Sequence, residues 1–131
     1  ASGDVLSEDN RAEMIGLAKS AAKAYGAVVL ASGKTDLVTD GEKVCLIDNG
    51  CEMMGRITGT GCMLNVLAGT YMSVGKPMAA AVAACVVLGI SGEMAAGQCR
   101  GTGSFQTAFQ DALFCMTDED IRSRIRVTFY E

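Results

Sequence analysis

Ala27-Val-Val-Leu-Ala31-Ser-Gly-Lys-Thr-Asp36-Leu-Val-Thr-Asp40-Gly-Glu-Lys-Val44-Cys-Leu-Ile47-Asp-Asn-Gly50 is the stretch on which the fold turns. Its first five residues are wholly apolar, and Ser32-Gly33-Lys34-Thr35-Asp36 ends them abruptly. That is the pattern of a buried parallel strand running into a loop. Leu37 to Asp40 and Val44 to Ile47 flank the glycine turn Gly41-Glu42-Lys43 and read as a hairpin, which Asp48-Asn49-Gly50 closes with a second turn signal.

Upstream of this stretch, Ala12, Ile15, Leu17, Ala18, Ala21, Ala22 and Tyr25 recur at three- and four-residue spacings, so Ser7 to Tyr25 is expected to form an amphipathic helix. Ser7 and Asn10 are its candidate N-caps and Gly26 its natural stop. Downstream, helices are expected over Met63 to Val74, over Met78 to about Ala96, and over Phe105 to Cys115, the last capped by Ser104. Gly75-Lys76-Pro77 and Gly101-Thr102-Gly103 separate them. A short acidic helix at Asp118 to Ile121 and a closing strand at Arg126 to Tyr130 complete the chain. Helix, strand, hairpin, several helices and a last strand make an α/β layered protein. About four strands are few for a sheet covered on both faces, so the chain is expected to supply only part of one.

Length and composition narrow the chemistry. The 131 residues suit one domain, and the absence of histidine removes Ser-His-Asp and Cys-His nucleophile pairs, histidine metal sites and a histidine general base. Fifteen acidic against eleven basic residues leave a net charge of −4 with no basic block, which argues against a nucleic-acid or anionic-membrane partner. The apolar run Met78 to Ile90 has 13 residues, short of the roughly 20 that cross a bilayer, and reads as a helix buried on most sides. Ala1 to Asn10 is acidic and has no basic region followed by an apolar one, so a cytoplasmic location is expected. The six cysteines form no C-x-x-C pair or close metal spacing and are expected to be reduced thiols.

Thr58-Gly59-Thr60-Gly61-Cys62 directly precedes a helix. Two glycines let backbone N–H groups converge there, and the helix start adds unpaired amides and the positive end of its dipole, so the turn can hold an anion. It matches neither standard phosphate fingerprint: no G-K-[ST] follows, and the position of a third dinucleotide glycine is Leu64. Cys62 falls in the first turn of that helix, where amides and dipole favour a thiolate, and it is the one cysteine with a physical reason to be reactive. The other five are expected to pack as small core hydrophobes. Asp36, Asp40 and Asp111 are assigned turn and helix-surface roles rather than metal ligation.

Ser32-Gly-Lys-Thr-Asp36, Asp40-Gly41, Asn49-Gly50, Thr58-Gly-Thr-Gly-Cys-Met-Leu64, Gly92-Glu-Met-Ala-Ala96 and Gly101-Thr-Gly-Ser-Phe-Gln106 fall in one order and spacing. In these the chain resembles the hydroxyethylthiazole kinases, a thiamin-pathway family of the ribokinase-like fold. The likeness runs over nearly all of residues 1–131 but covers only the C-terminal half of such an enzyme. It implies half of a three-layer α/β/α domain. It further implies transfer of the ATP γ-phosphoryl group to the alcohol of 4-methyl-5-(2-hydroxyethyl)thiazole, with magnesium ligands and part of the thiazole pocket in the N-terminal half. A homotrimer with thiazole sites between subunits is also implied.

By the same resemblance Gly59, Thr60 and Gly61 form an anion hole for the transferring group, Gly59 also touches the thiazole, and Ser32 contacts ATP where the family usually has threonine. Cys62 stands where related sugar kinases carry an aspartate base. An aspartate is ionised at neutral pH from an ordinary pKa of about 4, whereas a thiol starts from about 8.5, so Cys62 would serve as a base or chiefly orient the alcohol. Two departures stand out: Lys34 replaces a common glutamate, and Thr102 stands where proline is common. The rival readings are a non-catalytic ligand-binding or assembly module of this fold, and a kinase for another heterocyclic alcohol.

Overall fold

The computed structural model describes residues 9–130. Helix α1 spans Arg11–Tyr25, strand β1 Val29–Ala31, β2 Asp36–Thr39 and β3 Val44–Ile47. A 3-10 turn at Glu52–Arg56 leads to α2, Thr60–Met72, followed by α3, Pro77–Ala96, α4, Thr102–Phe114, α5, Asp118–Arg124, and β4, Val127–Tyr130. Asn10 is the N-cap of α1 and Gly26, at φ 58°, its C-cap. The candidate cap Ser7 lies outside the described residues.

The strands form one sheet in the order β1-β2-β3-β4 with every pair antiparallel. The expected hairpin is present as β2 and β3, with Leu37 opposite Leu46 and Val38 opposite Cys45. Asp40 closes its turn by accepting the amides of Glu42 and Lys43 at 2.9 and 2.8 Å, and these bonds, that to Lys43 first, hold its carboxyl below the usual range. The expected parallel strand at Ala27 to Ala31 is not what forms. β1 is shorter and pairs antiparallel to β2, Val29 with Thr39 and Ala31 with Leu37. The reason is length: a parallel return needs a crossover of a dozen or more residues, and only Ser32 to Thr35 join the two strands. β1 is half-buried because no described strand lies against its outer edge.

Strand alternation divides the core in two. Leu37, Val44 and Leu46 face α1 and pack with Met14, Ile15 and Ala18. Val38, Cys45 and Ile47 face the other way, into the larger cluster with Ala84, Cys85 and Leu88 of α3. Helices α2 and α4 pack on α3 in turn. The result is the three-layer α/β/α arrangement that the resemblance implies, with α1 on one face of the sheet and α3 on the other. The amphipathic reading of α1 holds for Ala22, which is buried, but Leu17 and Tyr25 are 63% and 84% exposed.

Helix α3 has no polar stripe because the sheet, α2 and α4 surround it. Buried positions run from Ala80 through Ala95. Pro77 at its start supplies a preset φ where no amide partner is needed. The helix extends to 20 residues, beyond the 13-residue apolar run. By length and hydropathy alone it could cross a membrane, yet 67% of its apolar window is buried inside this protein.

Two helix starts differ from expectation. α2 begins at Thr60, three residues before Met63, so Thr60, Gly61 and Cys62 belong to its first turn. α4 begins at Thr102, and Ser104 is therefore not its N-cap; the Ser104 hydroxyl reaches back to accept the amides of Arg100 and Gly101 at 2.9 and 3.3 Å. Buried Phe105 and Phe109 stack at 5.8 Å between centroids and tie α4 to the core. All six cysteines are free thiols. Cys45 and Cys85 are core residues, while Cys115, expected in the core, is exposed because it sits past the end of α4.

Glycine at 89 and 92 lets α3 approach the segment after β3. A Cβ on Gly89 would lie 2.7 Å from the Asn49 carbonyl carbon, and one on Gly92 only 2.3 Å from the Met54 sulfur. Backbone cannot yield as a flexible side chain can. Gly89→Ala is accordingly expected to lower stability by about 2 kcal/mol, measured by thermal denaturation. Gly69→Ala, at an α2 position where a Cβ meets nothing within 4 Å, should be neutral or stabilising by up to about 1 kcal/mol. Equal effects of the two substitutions would contradict the close-approach account.

Candidate functional site

Three pieces of backbone meet at one end of the sheet: the link Ser32 to Thr35, the segment after β3, and the start of α2. Between them lies a cavity of about 730 Å³ whose walls include Ser32, Thr35, Asp36, Asp48, Thr60 and Gly61. Cys85, Leu88 and Gly89 of α3 form part of its lining. The start of α2 takes its direction from Gly59, whose φ of 102° is one that L side chains rarely adopt.

The first bond of α2 runs from the Met63 amide to the Gly59 carbonyl at 2.9 Å. Helix geometry therefore leaves the N–H groups of Thr60, Gly61 and Cys62 without intrahelical partners at the positive end of the dipole. A Cβ built on Gly61 would meet nothing within 4 Å. The Thr60 hydroxyl turns away from this role and donates to the Met54 carbonyl at 3.3 Å, holding the 3-10 turn against the helix.

Of the residues singled out in the sequence, Ser32, Thr60 and Gly61 share the cavity, whereas Gly59 and Cys62 are not among its walls. Gly59 is half-buried behind the helix start, and Cys62 is exposed in the first turn of α2. The Ser32 hydroxyl has no hydrogen-bond partner among the described residues. These unpaired donors suit an anionic ligand. Among the described residues no three metal-ligating side chains are grouped.

The segment after β3 is braced by a network that local patterns did not reveal. Asn49, 4% exposed, donates to Glu93 Oε1 at 3.2 Å and to the Arg124 carbonyl at 2.8 Å, and its own oxygen accepts the Arg126 amide at 2.8 Å. Glu93 Oε1 also takes the Gly50 amide at 3.1 Å and the Arg126 guanidinium. Arg126 donates to the Asp48 carbonyl at 2.9 Å. A buried carboxylate is tolerable when hydrogen-bonded and paired in this way. Asn49-Gly50 reads locally as no more than a turn, and its partners lie 43 to 77 residues away. Glu93 could have been found only as a charged residue inside an otherwise apolar helix.

Asp36 is the carboxylate most altered by the site. Burial pushes its carboxyl from 3.8 up to about 6, against the opposing bonds from the Gly33 amide and the Cys85 thiol. Burial, followed by the neighbouring Asp36 charge, pushes the Cys85 thiol far upward. Both face the sheet–α3 layer, where Asp36 pairs with Ile47 across the hairpin.

Residues 3–119 match the family described as "Hydroxyethylthiazole kinase family". The chain is 38% identical over 127 residues to "Hydroxyethylthiazole kinase 2" of Clostridium botulinum (strain Langeland), covering 97% of this chain and 48% of that protein. It is 39% identical over 113 residues to "Hydroxyethylthiazole kinase" of Methanocella arvoryzae, covering 86% and 42%. A solved structure of a hydroxyethylthiazole kinase protein from Pyrococcus horikoshii OT3 superposes with a TM-score of 0.88 at 34% identity, over 95% of this chain and 49% of that one. The chain thus spans about half the length of the curated relatives it matches.

The raised Asp36 carboxyl has a definite sign in stability. Folding favours its protonated form, so its contribution is present in full below about pH 4 and is lost as pH rises through about 6. Asp36→Asn cannot titrate, and it should gain on the parent chain between pH 4 and pH 7 by at most about 3 kcal/mol. Urea midpoints of both proteins over that range measure this, and a difference independent of pH would refute the burial account.

Proposed function

The chain belongs to the hydroxyethylthiazole kinase family, and on that premise we propose that it forms the anion-holding half of an ATP-dependent kinase acting on the alcohol of 4-methyl-5-(2-hydroxyethyl)thiazole in the thiamin pathway. The observation that carries this reading is the start of α2, where unpaired amides of Thr60 and Gly61 border a cavity large enough for a nucleotide's phosphates and a small alcohol.

In the proposed reaction the alcohol oxygen forms a bond to the γ-phosphorus of ATP while the bond to the ADP oxygen breaks, and the alcohol proton leaves to a base or to water. The transition state is loose, with charge spread over the phosphoryl oxygens, so positioning and electrostatic stabilisation dominate. Fixed N–H dipoles at the head of α2 meet that charge without reorganising. Ser32 supplies a hydroxyl to the nucleotide from the other side of the cavity, and Gly59 keeps space for the thiazole at the turn. Cys62, exposed in the first turn, orients the alcohol or takes its proton. Magnesium, when bound with the nucleotide, neutralises phosphate charge, and its protein ligands belong to the half of the enzyme that these residues do not represent.

The proposal includes that second, N-terminal half as the chain's partner, a cytoplasmic location and a homotrimer. Exposed apolar residues of α2, with Val66 at 71% and Met72 at 50%, give copies of the chain a surface to share.

ATP consumption with hydroxyethylthiazole and magnesium tests the reading on the natural polypeptide, with whatever its reading frame carries before Ala1. Gly61→Val, whose side chain enters open space in this fold, should cut turnover on the order of a hundredfold or more by blocking the amides. Cys62→Asp should retain or raise activity. The reverse ranking would sink the assignment of these two residues. Absence of turnover with both halves present would favour a non-catalytic module of the same fold, and turnover only with another heterocyclic alcohol would move the substrate.

A further inference from the structure

Three carboxylates line a cavity proposed to take a polyanion, Asp36, Asp48 and the exposed Glu52. Left free there, each would repel phosphate. The bonds of Asp36 and Asp48 show a different use. Asp36 Oδ1 accepts the Gly33 amide at 3.0 Å, and Asp48 Oδ1 accepts the Thr35 hydroxyl at 2.6 Å. Both bonds end on the four-residue link between β1 and β2 that carries Ser32.

We propose that Asp36 and the Thr35–Asp48 pair are positioning residues that hold the Ser32 link in one shape for the nucleotide. This rests on the kinase reading, in which Ser32 meets ATP. A free link of this size would lose about 1–2 kcal/mol per residue on being ordered by a ligand, a cost avoided when the fold orders it beforehand.

The two anchors stand side by side at the open end of the β2–β3 hairpin. Asp36 belongs to β2, paired with Ile47 and set against Cys85 of α3. Asp48 stands at the end of β3, where its amide donates to the Arg126 carbonyl at 2.9 Å and its carbonyl accepts the Arg126 guanidinium. Thr35 is buried, 8% exposed, so its hydroxyl is fixed between the strands. Ser32, in contrast, is exposed, and its hydroxyl makes no hydrogen bond to the described residues. The link is therefore clamped at Gly33 and Thr35 and leaves its one free hydroxyl at the cavity wall. Asp36 and Asp48 each direct a bond at the protein, which accounts for these two acids standing beside an anion site.

Paired substitutions on the natural polypeptide separate positioning from bulk stability. Asp36→Ala and Thr35→Val each remove one clamp and should raise the KM for ATP about tenfold while kcat stays within about twofold. Asp36→Asn and Thr35→Ser keep an acceptor and a hydroxyl in place and should hold KM near the parent value. Amide hydrogen exchange at Gly33 should quicken in Asp36→Ala and not in Asp36→Asn. Unchanged KM in the first pair, with faster Gly33 exchange, would overturn the proposal and leave the kinase reading standing. The same rise in KM for Asn as for Ala would overturn it too, since charge rather than the bond would then matter. If the parent protein neither turns over ATP nor binds a fluorescent ATP analogue, the kinase reading and this proposal fall together.

Discussion

Helix α3 touches the backbone of Asn49 at Gly89, and most of the structure follows from that contact. A side chain at 89 would hold the helix away from the sheet, because the atoms it would meet belong to the main chain. With glycine there and at 92, α3 settles onto the strands closely enough to bury Val38, Cys45 and Ile47 on one side and to receive α2 and α4 on the other. The same approach brings Glu93 within reach of the Asn49 amide, the Gly50 amide and Arg126, so the apolar contact and the polar network depend on one another.

That network carries the last strand as well as the cavity wall. Asn49 binds the Arg124 carbonyl and the Arg126 amide, and β4 begins one residue later. Asp48 next to it holds Thr35 and thereby the β1–β2 link. Charge and packing are thus arranged in a line from the C-terminal strand to the Ser32 link. Every buried polar group in this line has a partner, which is the condition for a polar network to define one geometry rather than several.

Much of the fold could be read locally. The β2–β3 hairpin follows from two β-branched runs around Asp40-Gly41, and the full burial of α3 follows from a long Ala/Val/Leu run with no polar face. Periodicity could not supply direction: Ala27 to Ala31 looks like any buried strand, and only the brevity of Ser32 to Thr35 makes its pairing antiparallel. It also could not say which apolar residues lack a cover. Leu17 and Tyr25 of α1 share the helical pattern of Ala22 yet stand in the open.

At the site, Thr58 to Cys62 read as a turn able to hold an anion because two glycines stand directly before a helix start. Sequence alone determined that turn, the hairpin and the buried helix, because each depends on residues close together in the chain. The tertiary structure decided that Thr60 and Gly61 share a cavity with Ser32 while Cys62 stands outside its walls, and that Asn49, Glu93 and Arg126 form one unit. Those facts depend on distances between residues far apart in the chain, 33 to 77 positions in the Asn49, Glu93 and Arg126 unit, which are set by how closely α3 meets the sheet and by nothing that a local spacing records.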